Sequence, residues 1–396
     1  MSENKEVGQS DVLQKIMHAT SHVIPIADLE KKLARNKPLI IKFGVDPTAP
    51  DLHLGHAVAL SKLKQLQDLG HQIIFLIGDF TARIGDPSGK SKTRPSLSKE
   101  QIRENLQTYI DQVGRILDSE KITIAFNSAW LEKLSMDDMI CLCSKLTVAR
   151  VIERDDFQKR LSSGTPIALH ELLYPVIQAY DSVALNADIE LGGEDQLFNL
   201  LLGRFLQEQY GKEPQVIITV PLLEGLDGKQ KMSKSLDNYV SLAEEPGQAF
   251  GKIMSIADEL MWRYYTLLLG VPAEELAHMK ATEHPKELKK KLAFAIVERF
   301  WSPVEADSAQ KQFEALFEKR DYSQAQKVAL PEQSPIWIVD LLKHIGAVGS
   351  SSEAKRLIES GAVHIDDAVI TDFKAQITPA AGMSIKVGKH RIYQLI

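Results

Sequence analysis

Short apolar runs alternate with helical patterns through the first half of the chain. The run PLIIKFGVD, at residues 38–46, has the length and apolar content of a buried strand. The turn-rich connection PTAPDLHLGH leads into residues 57–70, whose apolar side chains recur at helical spacing, and HQIIFLIGDF then supplies the next buried strand. Because such strand–helix–strand units cross over in one hand, the pattern predicts a parallel sheet with helices on both faces.

The same sheet is predicted to gain two strands further along the chain. The sequence ADIELGGEDQLFNLLLGRFLQEQYG favours a strand, a loop and a helix, and QVIITV favours the last strand in chain order. Before them, the Gly-, Pro- and Ser-rich tract 81–100 predicts a long loop, and helices are expected over most of residues 99–182. We therefore expect an α/β domain over residues 1–245.

Two further patterns follow this domain. Helical spacing dominates from about residue 245 to 320, and the last 60 or so residues favour two short helices, a strand–turn–strand unit and a basic terminal hairpin. The sequence therefore predicts a helical domain at residues 246–325, a linker at 326–335 and a small α+β domain at 336–396.

Composition narrows the class of protein. The 396 residues exceed what one compact core usually accommodates, and the net charge of −6 argues against a surface that coats nucleic acid, although it allows a local basic patch. The N-terminus lacks the apolar region of a signal peptide, and no apolar run is long enough to span a membrane. Cys141 and Cys143 are expected to be free thiols. We therefore expect a cytoplasmic protein without membrane contact or structural metal.

Two histidines, His53 and His56 in HLGH, lie where the first predicted strand connects to its helix. Ligands of open α/β sheets bind at the carboxyl ends of strands, and a helix N-terminus offers free N–H groups to a phosphate. Gly55 would leave room for a flat base beside the backbone. The four residues alone suit a phosphate site and two incidental histidines equally, but the context VDPTAPDLHLGHAV favours the site.

A second candidate is the loop LLEGLDGKQKMSKSLDNYV, which carries Lys229, Lys231 and Lys234. Its ammonium groups could close over a polyphosphate whose charge moves during a reaction. The alternative is an ordinary solvated charge run, because KMSKS alone occurs by chance in many proteins.

A polar stripe lies along the predicted helix HELLYPVIQAYDSVAL. Tyr174, Gln178 and Asp181 fall at i, i+4 and i+7, where a core-facing helix would have Leu or Val. A phenol, an amide and a carboxylate in line suit a buried polar ligand. The alternative is a solvent-facing stripe, because apolar residues occupy another face of the same helix.

Two loops give weaker signals. In GGEDQ, paired glycines precede Asp195 and Gln196 between a strand and a helix, which suits ribose hydroxyls. In GDPSGKSKTR, Asp86 lies beside basic residues, so it could hold an ammonium group while they hold phosphates.

Together, HLGH, YPVIQAYD, GGEDQ and KMSKS closely resemble the bacterial tyrosyl-tRNA synthetases, over essentially the whole chain. The first and last motifs mark class I aminoacyl-tRNA synthetases, and the middle two mark the tyrosine enzymes. The tail SSEAKRLIESGAVHIDDAVITD resembles a small RNA-binding domain shared with a ribosomal small-subunit protein. The resemblance implies a Rossmann-like catalytic domain, a helical anticodon-binding domain and an RNA-binding tail.

The resemblance also implies a role for each matching residue. The implied ATP contacts are His53, Gly55, His56, Gly193, Asp195, Lys231 and Lys234. The implied tyrosine contacts are Asp46, Asp86, Tyr174, Gln178, Asp181 and Gln196, of which Asp181 accepts from the substrate phenol. The remaining implied catalytic residues are Thr48 in DPT, and Lys90 and Arg94 on a mobile phosphate-side loop. The implied RNA contacts are Lys355, Arg356, Lys389 and Arg391.

One position departs from many members of the family. They have a tyrosine two residues before the glycine of G-x-D-P-T, and it also touches the substrate hydroxyl. This chain has Lys42 there, as does a second bacterial subgroup. Asp181 is therefore expected to carry more of the recognition of the phenol.

The implied reaction has two steps. The carboxylate of L-tyrosine attacks the α-phosphate of ATP, which gives tyrosyl-adenylate and pyrophosphate, and a terminal ribose hydroxyl of tRNA(Tyr) then takes the tyrosyl group. Because the nucleophile is already an anion, the first step needs alignment and counter-charge rather than a general base. By resemblance, Mg²⁺ accompanies the phosphates and the enzyme is a homodimer. A basic helical stretch offers further surface for tRNA, although a solvated helix face explains it equally well; it contains Lys286, Lys289, Lys290 and Lys291.

Two alternatives stay open at this point. The tryptophanyl synthetases share the fold, but the stripe of Tyr174, Gln178 and Asp181 argues for a phenol. An RNA-binding protein descended from a synthetase could act in RNA folding or splicing without catalysis. The intact histidine and lysine signatures argue against that as the only function.

Overall fold

A computed structural model of the chain describes residues 9–46, 52–86, 108–319, 321–322, 325–388 and 391–396. The chain divides into two compact units. The first comprises Met1–Gly225, Lys229–Ala243 and Thr266–Pro272, and the second comprises Leu226–Gly228, Glu244–Tyr265 and Ala273–Ile396. In the described ranges, no helix has both the length and the apolar character needed to cross a membrane.

The first unit is built on a six-stranded sheet in the order β1-β6-β5-β2-β3-β4. Its strands are β1 (His22–Ile24), β2 (Ile40–Val45), β3 (Gln72–Ile77), β4 (Ile122–Phe126), β5 (Ile189–Gly193) and β6 (Val216–Val220). All neighbours pair in parallel except β1, which is antiparallel to β6. The predicted parallel sheet is therefore confirmed, and the chain changes direction across it between β2 and β5, where such sheets bind ligands.

Helices of the first unit connect the strands of this sheet, as the strand–helix alternation predicts. They are α1 (Gln9–Met17), α2 (Ile26–Leu33), α3 (Leu54–Asp68), α4 (Ser128–Leu131), α5 (Met136–Ser144), α6 (Val148–Ile152), α7 (Asp155–Ser162), α8 (Leu169–Leu185) and α9 (Leu197–Gln209). Residues 108–113 are also helical. Helix α8 stops at Asn186, which adopts the left-handed conformation (φ 50°) that asparagine tolerates at a helix end.

Two strands were not predicted. Strand β4 lies inside the range expected to be mostly helical, and β1 was assigned no structure. Both are edge strands, of five and three residues, and the side chains of β4 are only partly buried. Edge strands with partly exposed side chains are marked less clearly in a sequence than β3 and β6, whose side chains are almost all buried.

The second unit contains helices followed by a small α+β region. Its helices are α10 (Pro246–Met254), α11 (Asp258–Tyr264), α12 (Ala273–Thr282), α13 (Pro285–Phe300), α14 (Pro303–Phe313), α15 (Ile338–His344) and α16 (Ser351–Glu359). Its strands are β7 (Gln326–Val328), β8 (Ile336–Trp337), β9 (Val363–Ile365), β10 (Ala368–Ile370), β11 (Gln376–Ile377), β12 (Ser384–Val387) and β13 (Arg391–Leu395). They form a five-stranded sheet, β10-β9-β12-β13-β7, and the pair β11-β8.

The segment predicted as a linker, 326–335, is partly ordered into this sheet. Strand β7 pairs in parallel with β13, and Tyr393, Gln394 and Leu395 are opposite its three residues. The predicted strand–turn–strand and terminal hairpin are present as β9–β10 and β12–β13. The division into three domains stays a prediction, because the helical and α+β regions fall in one compact unit.

Candidate active site

A cavity of about 250 Å³ opens at the carboxyl ends of β2 and β5. All six side chains predicted to contact an amino acid line it: Asp46, Asp86, Tyr174, Gln178, Asp181 and Gln196. His56 and Gly193 from the predicted ATP contacts also line the cavity. These residues come from five separate sequence segments, which thus converge where a parallel sheet is expected to bind its ligand.

The polar stripe of α8 faces the interior. Tyr174 and Asp181 are 5% and 2% exposed, so the solvent-facing alternative is wrong. The Tyr174 hydroxyl donates to Asp46 Oδ2 at 2.9 Å. Burial, followed by the nearby carboxylate of Asp46, raises the pKa of Tyr174 well above its ordinary value, so this phenol stays a neutral donor.

Asp181 is held by two donors that the sequence did not point to. Trp130 Nε1 donates to its Oδ1 at 2.8 Å, and Asn127 Nδ2 donates to its Oδ2 at 3.3 Å. Burial raises the pKa of Asp181 to about 6, and the charge of Lys42 and these hydrogen bonds oppose that rise. Asn127 directly follows β4, so recognising that strand would have placed a polar side chain at the same sheet edge.

Asp46, which directly follows β2, is positioned by another residue that the sequence analysis did not predict. Its Oδ1 accepts a hydrogen bond from the Thr81 hydroxyl at 2.8 Å. A Cβ atom on Gly78 would lie 2.0 Å from Asp46 Oδ1 and 2.3 Å from Thr81 Oγ1. Only glycine therefore lets β3 end this close to the carboxylate.

A chain of amides joins the stripe to the GGEDQ loop. Asn199 Nδ2 donates to Gln178 Oε1 and to Gln196 Oε1, at 3.0 Å each. Gln196 Nε2 in turn donates to Asp86 Oδ2 at 3.2 Å. Asn199 lies in the first turn of α9, and no local pattern in the sequence singled it out.

The two histidines of HLGH cap α3 reciprocally. His53 Nδ1 accepts from Gly55 N, and His56 Nδ1 accepts from His53 N, at 3.2 Å each. Burial, then the charges of His56, Lys234 and Lys231, lower the pKa of His53 to about 2. The ring is therefore neutral with its proton on Nε2, which leaves one N–H to donate to a ligand.

Gly55 is closely packed on the side where a Cβ atom would lie. Such an atom would be 2.9 Å from the His53 ring and 3.4 Å from Met232 Cβ. The glycine thus makes room for the capping histidine and the lysine loop, and its contact with ATP stays a prediction.

The lysine loop is fastened to the start of α3 by backbone hydrogen bonds. Leu54 N donates to Val240 O at 3.0 Å, and Leu242 N donates to Leu52 O at 2.9 Å. Lys231 pairs with Asp195 at 3.1 Å between Nζ and Oδ2, and Lys234 begins a short 3₁₀ helix. The fold therefore brings together the two signature motifs and the predicted ribose contact, although they are far apart in sequence.

Four predicted site residues, Thr48, Lys90, Arg94 and Lys389, lie outside the described residues. In the tail, Lys355 Nζ lies 4.9 Å from the Phe373 ring centre, and Arg356 is exposed. Arg391 is half-buried and donates to the carbonyl of Ala347, so part of its guanidinium serves the fold.

The lysines of α13 are engaged in ion pairs within the second unit. The pairs are Lys286–Glu318, Lys289–Asp258, Lys290–Glu318 and Lys291–Glu283. This arrangement favours the solvated helix face over a phosphate-binding surface. Across the described ranges, no group of three or more His, Cys, Asp or Glu residues could hold a metal ion.

Comparison with known proteins agrees with this geometry. Residues 34–318 match the family of class I tRNA synthetases of the W and Y type. Proteins named tyrosine–tRNA ligase from Aquifex aeolicus and Francisella tularensis are 50% and 52% identical to this chain, over 97% and 98% of its length and 98% of each relative.

Solved structures share the fold at lower identity. A C-terminally truncated mitochondrial tyrosyl-tRNA synthetase from Coccidioides posadasii is 24% identical with a TM-score of 0.63, covering 78% of this chain and 92% of its own. A tyrosyl-tRNA synthetase from Archaeoglobus fulgidus, solved with L-tyrosine, is 22% identical with a TM-score of 0.61, covering 76% and 99%.

Proposed function

This chain belongs to the tyrosine–tRNA ligase family of class I synthetases, and we propose that its cavity activates L-tyrosine with ATP before the tyrosyl group passes to tRNA(Tyr). The observation that carries the proposal is the buried carboxylate of Asp181 on the α8 stripe, in the cavity at the β2–β5 switch. Among the described residues, two side chains donate to this carboxylate, and a carboxylate has about four lone-pair sites, which leaves acceptor capacity for a substrate hydroxyl.

The amino acid is proposed to bind along the α8 stripe. Its phenol donates to Asp181, and its ammonium group is held near Asp86, Tyr174 and Gln178, all of which line the cavity. Gln196, which is bonded to Asp86, lies where it can meet the substrate carboxylate. This arrangement leaves that carboxylate directed toward the signature motifs.

ATP is proposed to bind across the α3 N-terminus, with Mg²⁺ entering as part of the MgATP substrate. His53 and His56, whose Nδ1 atoms both accept backbone hydrogen bonds, donate from Nε2–H to phosphate oxygens beside the helix dipole. Asp195 and Gly193 contact the ribose, after Asp195 has released Lys231. Lys231 and Lys234 then meet the charge that grows on the departing pyrophosphate.

We propose that tRNA(Tyr) is the acceptor and that its contacts include Lys355 and Arg356 in the tail. Arg356 is exposed, and Lys355 lies over an aromatic ring, a combination that suits structured RNA. The proposed location is the cytoplasm, where the two free thiols Cys141 and Cys143 would stay reduced.

The decisive experiment is amino-acid-dependent ATP–pyrophosphate exchange, with each of the twenty amino acids in turn. Exchange with tyrosine alone is expected. Exchange with tryptophan instead would contradict the assignment of the α8 stripe to a phenol. Folded protein that shows no exchange with any amino acid would favour the RNA-binding alternative.

We also propose a homodimer, supported by exposed apolar side chains in the segment 136–169. Met136, Ile140, Val148, Leu161 and Leu169 are between 60% and 80% exposed. Leu169→Glu is expected to convert a dimer to a monomer in sedimentation velocity, because a charge replaces an apolar contact. Val304→Glu, at a 78% exposed position of the second unit, is the matched control and should leave the dimer intact. A Leu169→Glu variant that stays dimeric would place the interface elsewhere.

The activity is expected to depend on pH through Asp181. Since its pKa in the free protein is about 6, the acceptor carboxylate is lost as the pH falls below that value. The kcat/KM for tyrosine should therefore fall about 10-fold per pH unit below about 6, while that for phenylalanine, which has no hydroxyl to bind, stays flatter. A tyrosine profile that is level from pH 5 to 7 would contradict this role.

The raised pKa of Asp181 also makes the free energy of unfolding depend on pH. The folded-state pKa lies above the ordinary value of 3.8, so the folded protein binds this proton more tightly than the unfolded chain. The stabilisation from Asp181 is therefore fully present below about 3.8 and is lost as the pH rises through about 6. At neutral pH the charged carboxylate costs stability in exchange for substrate recognition.

A further inference from the structure

A buried lysine lies at the wall of the amino-acid cavity. Lys42 is in the middle of β2, 0% exposed, and lines the same cavity as Asp181. It is the register partner of Glu190 on the neighbouring strand β5. The two side chains form an ion pair at 2.8 Å between Nζ and Oε1, so the register of the parallel sheet itself dictates this pair.

The ammonium group of Lys42 also binds α8 on both sides of Asp181. Its Nζ donates to Ser182 Oγ at 2.9 Å and to the carbonyl oxygen of Gln178 at 3.3 Å. Ser182 is the next residue after Asp181, and Gln178 lies almost one turn before it. The lysine thus fixes the turn of the helix from which the substrate-reading carboxylate projects.

No hydrogen of this ammonium group is left for a ligand. A lysine has three N–H donors, and these three go to Glu190, Ser182 and Gln178. Lys42 can therefore donate to a substrate hydroxyl only by giving up one of these bonds.

The network continues behind the lysine. Glu190 Oε2 accepts from Ser182 Oγ at 2.9 Å and from Gln215 Nε2. A Cβ atom on Gly203 would lie 2.8 Å from Gln215 Nε2 and 3.0 Å from Ser182 Oγ, so α9 packs directly against the network. With α9 packed on this side and bonds from Nζ to β5 and α8, the lysine side chain has little freedom to move.

We propose that Lys42 is a positioning residue. Together with Glu190 it fixes the position, relative to the sheet, of the turn of α8 that carries Asp181, and it does not itself contact the substrate hydroxyl. The inference rests on the proposed function. It assigns hydroxyl recognition to Asp181 with its Asn127 and Trp130 donors. Lys42 acts on the hydroxyl through Asp181 and the helix turn that carries it, without a contact of its own.

The test uses steady-state exchange kinetics with tyrosine and phenylalanine. Because Lys42→Met alone would leave Glu190 charged and unpaired in the core, the first variant is the double change Lys42→Met/Glu190→Gln. It is expected to lower kcat/KM for tyrosine by about 10- to 100-fold, mainly through KM, with little change for phenylalanine. The matched control is Arg160→Met/Glu171→Gln, which removes another buried ion pair from α8 far from Asp181 and should affect both substrates equally.

A second variant, Ser182→Ala, keeps both charges and tests the same idea if the double variant does not fold. It is expected to lower kcat/KM for tyrosine selectively, by roughly 3- to 10-fold, because Lys42 loses one tie to α8. An unchanged ratio of tyrosine to phenylalanine in folded variants, or equal losses for both substrates, would overturn the inference. So would a selective gain for tyrosine in Ser182→Ala, since the freed hydrogen would then reach the hydroxyl. Failure of the proposed function is distinguishable, because the wild-type protein would then show no tyrosine-dependent exchange.

Discussion

Replacement of Asp181 by alanine is expected to lower kcat/KM for tyrosine by roughly 100-fold or more. The ratio of kcat/KM for tyrosine to kcat/KM for phenylalanine should therefore fall. A hydrogen bond to a buried charged group contributes about 3 kcal/mol, which corresponds to this factor. The phenylalanine rate should stay near that of the wild type or rise, because a substrate without the hydroxyl leaves the wild-type carboxylate buried and unpaired. Sites built to bind a substrate hydroxyl strongly reject analogues that lack it, and the tyrosine enzymes are the best-known example.

The measurement is pyrophosphate exchange with both amino acids, together with thermal unfolding. Asp181→Asn is the second variant, since it keeps the shape but offers an amide hydrogen where Trp130 or Asn127 donates. The control is Glu194→Gln, which alters an exposed carboxylate of the GGEDQ loop and should leave kcat/KM for both substrates unchanged. A full preference for tyrosine in folded Asp181→Ala would show that another group reads the hydroxyl.

The second large effect is expected from the lysine loop. Lys231→Ala and Lys234→Ala should each reduce kcat for tyrosine activation by about 100- to 1000-fold with little change in KM for tyrosine. The reason is that these ammonium groups meet charge that develops on pyrophosphate only in the transition state, so their loss leaves the ground state almost unaffected. The double variant should reduce kcat by less than the product of the two single reductions, because both lysines act on the same pyrophosphate group.

The matched control is Lys229→Ala, which removes the same charge from an exposed position in the same loop. It should leave kcat within about twofold of the wild type, as expected for a surface substitution. If Lys231→Ala instead raised KM for ATP without lowering kcat, the lysine would bind ATP uniformly and the late role proposed for it would be wrong. Pre-steady-state measurement of adenylate formation separates these cases.

The sequence by itself determined the parallel sheet and the residues that meet in its cavity. Mostly apolar stretches mark β2, β3, β5 and β6, of which β3, β5 and β6 are almost fully buried. Helical spacing marks α3, α8 and α9. The stripe of α8 and the motifs at strand ends are local patterns, so their convergence followed from the rule that parallel strands end at one edge.

Only the tertiary structure decided which groups hold these residues in place. Asn127 and Trp130 reach Asp181 across more than 50 residues of sequence, from positions just after a partly exposed edge strand that the sequence pattern did not predict. The glycine of HLGH makes room for His53 and Met232, and the lysine loop lies against the same turn. The partners of Lys42 depend on the register of β2 against β5 and on the packing of α8. These contacts join residues that are far apart in sequence, and they form only in the folded chain. A local sequence pattern therefore could not predict them.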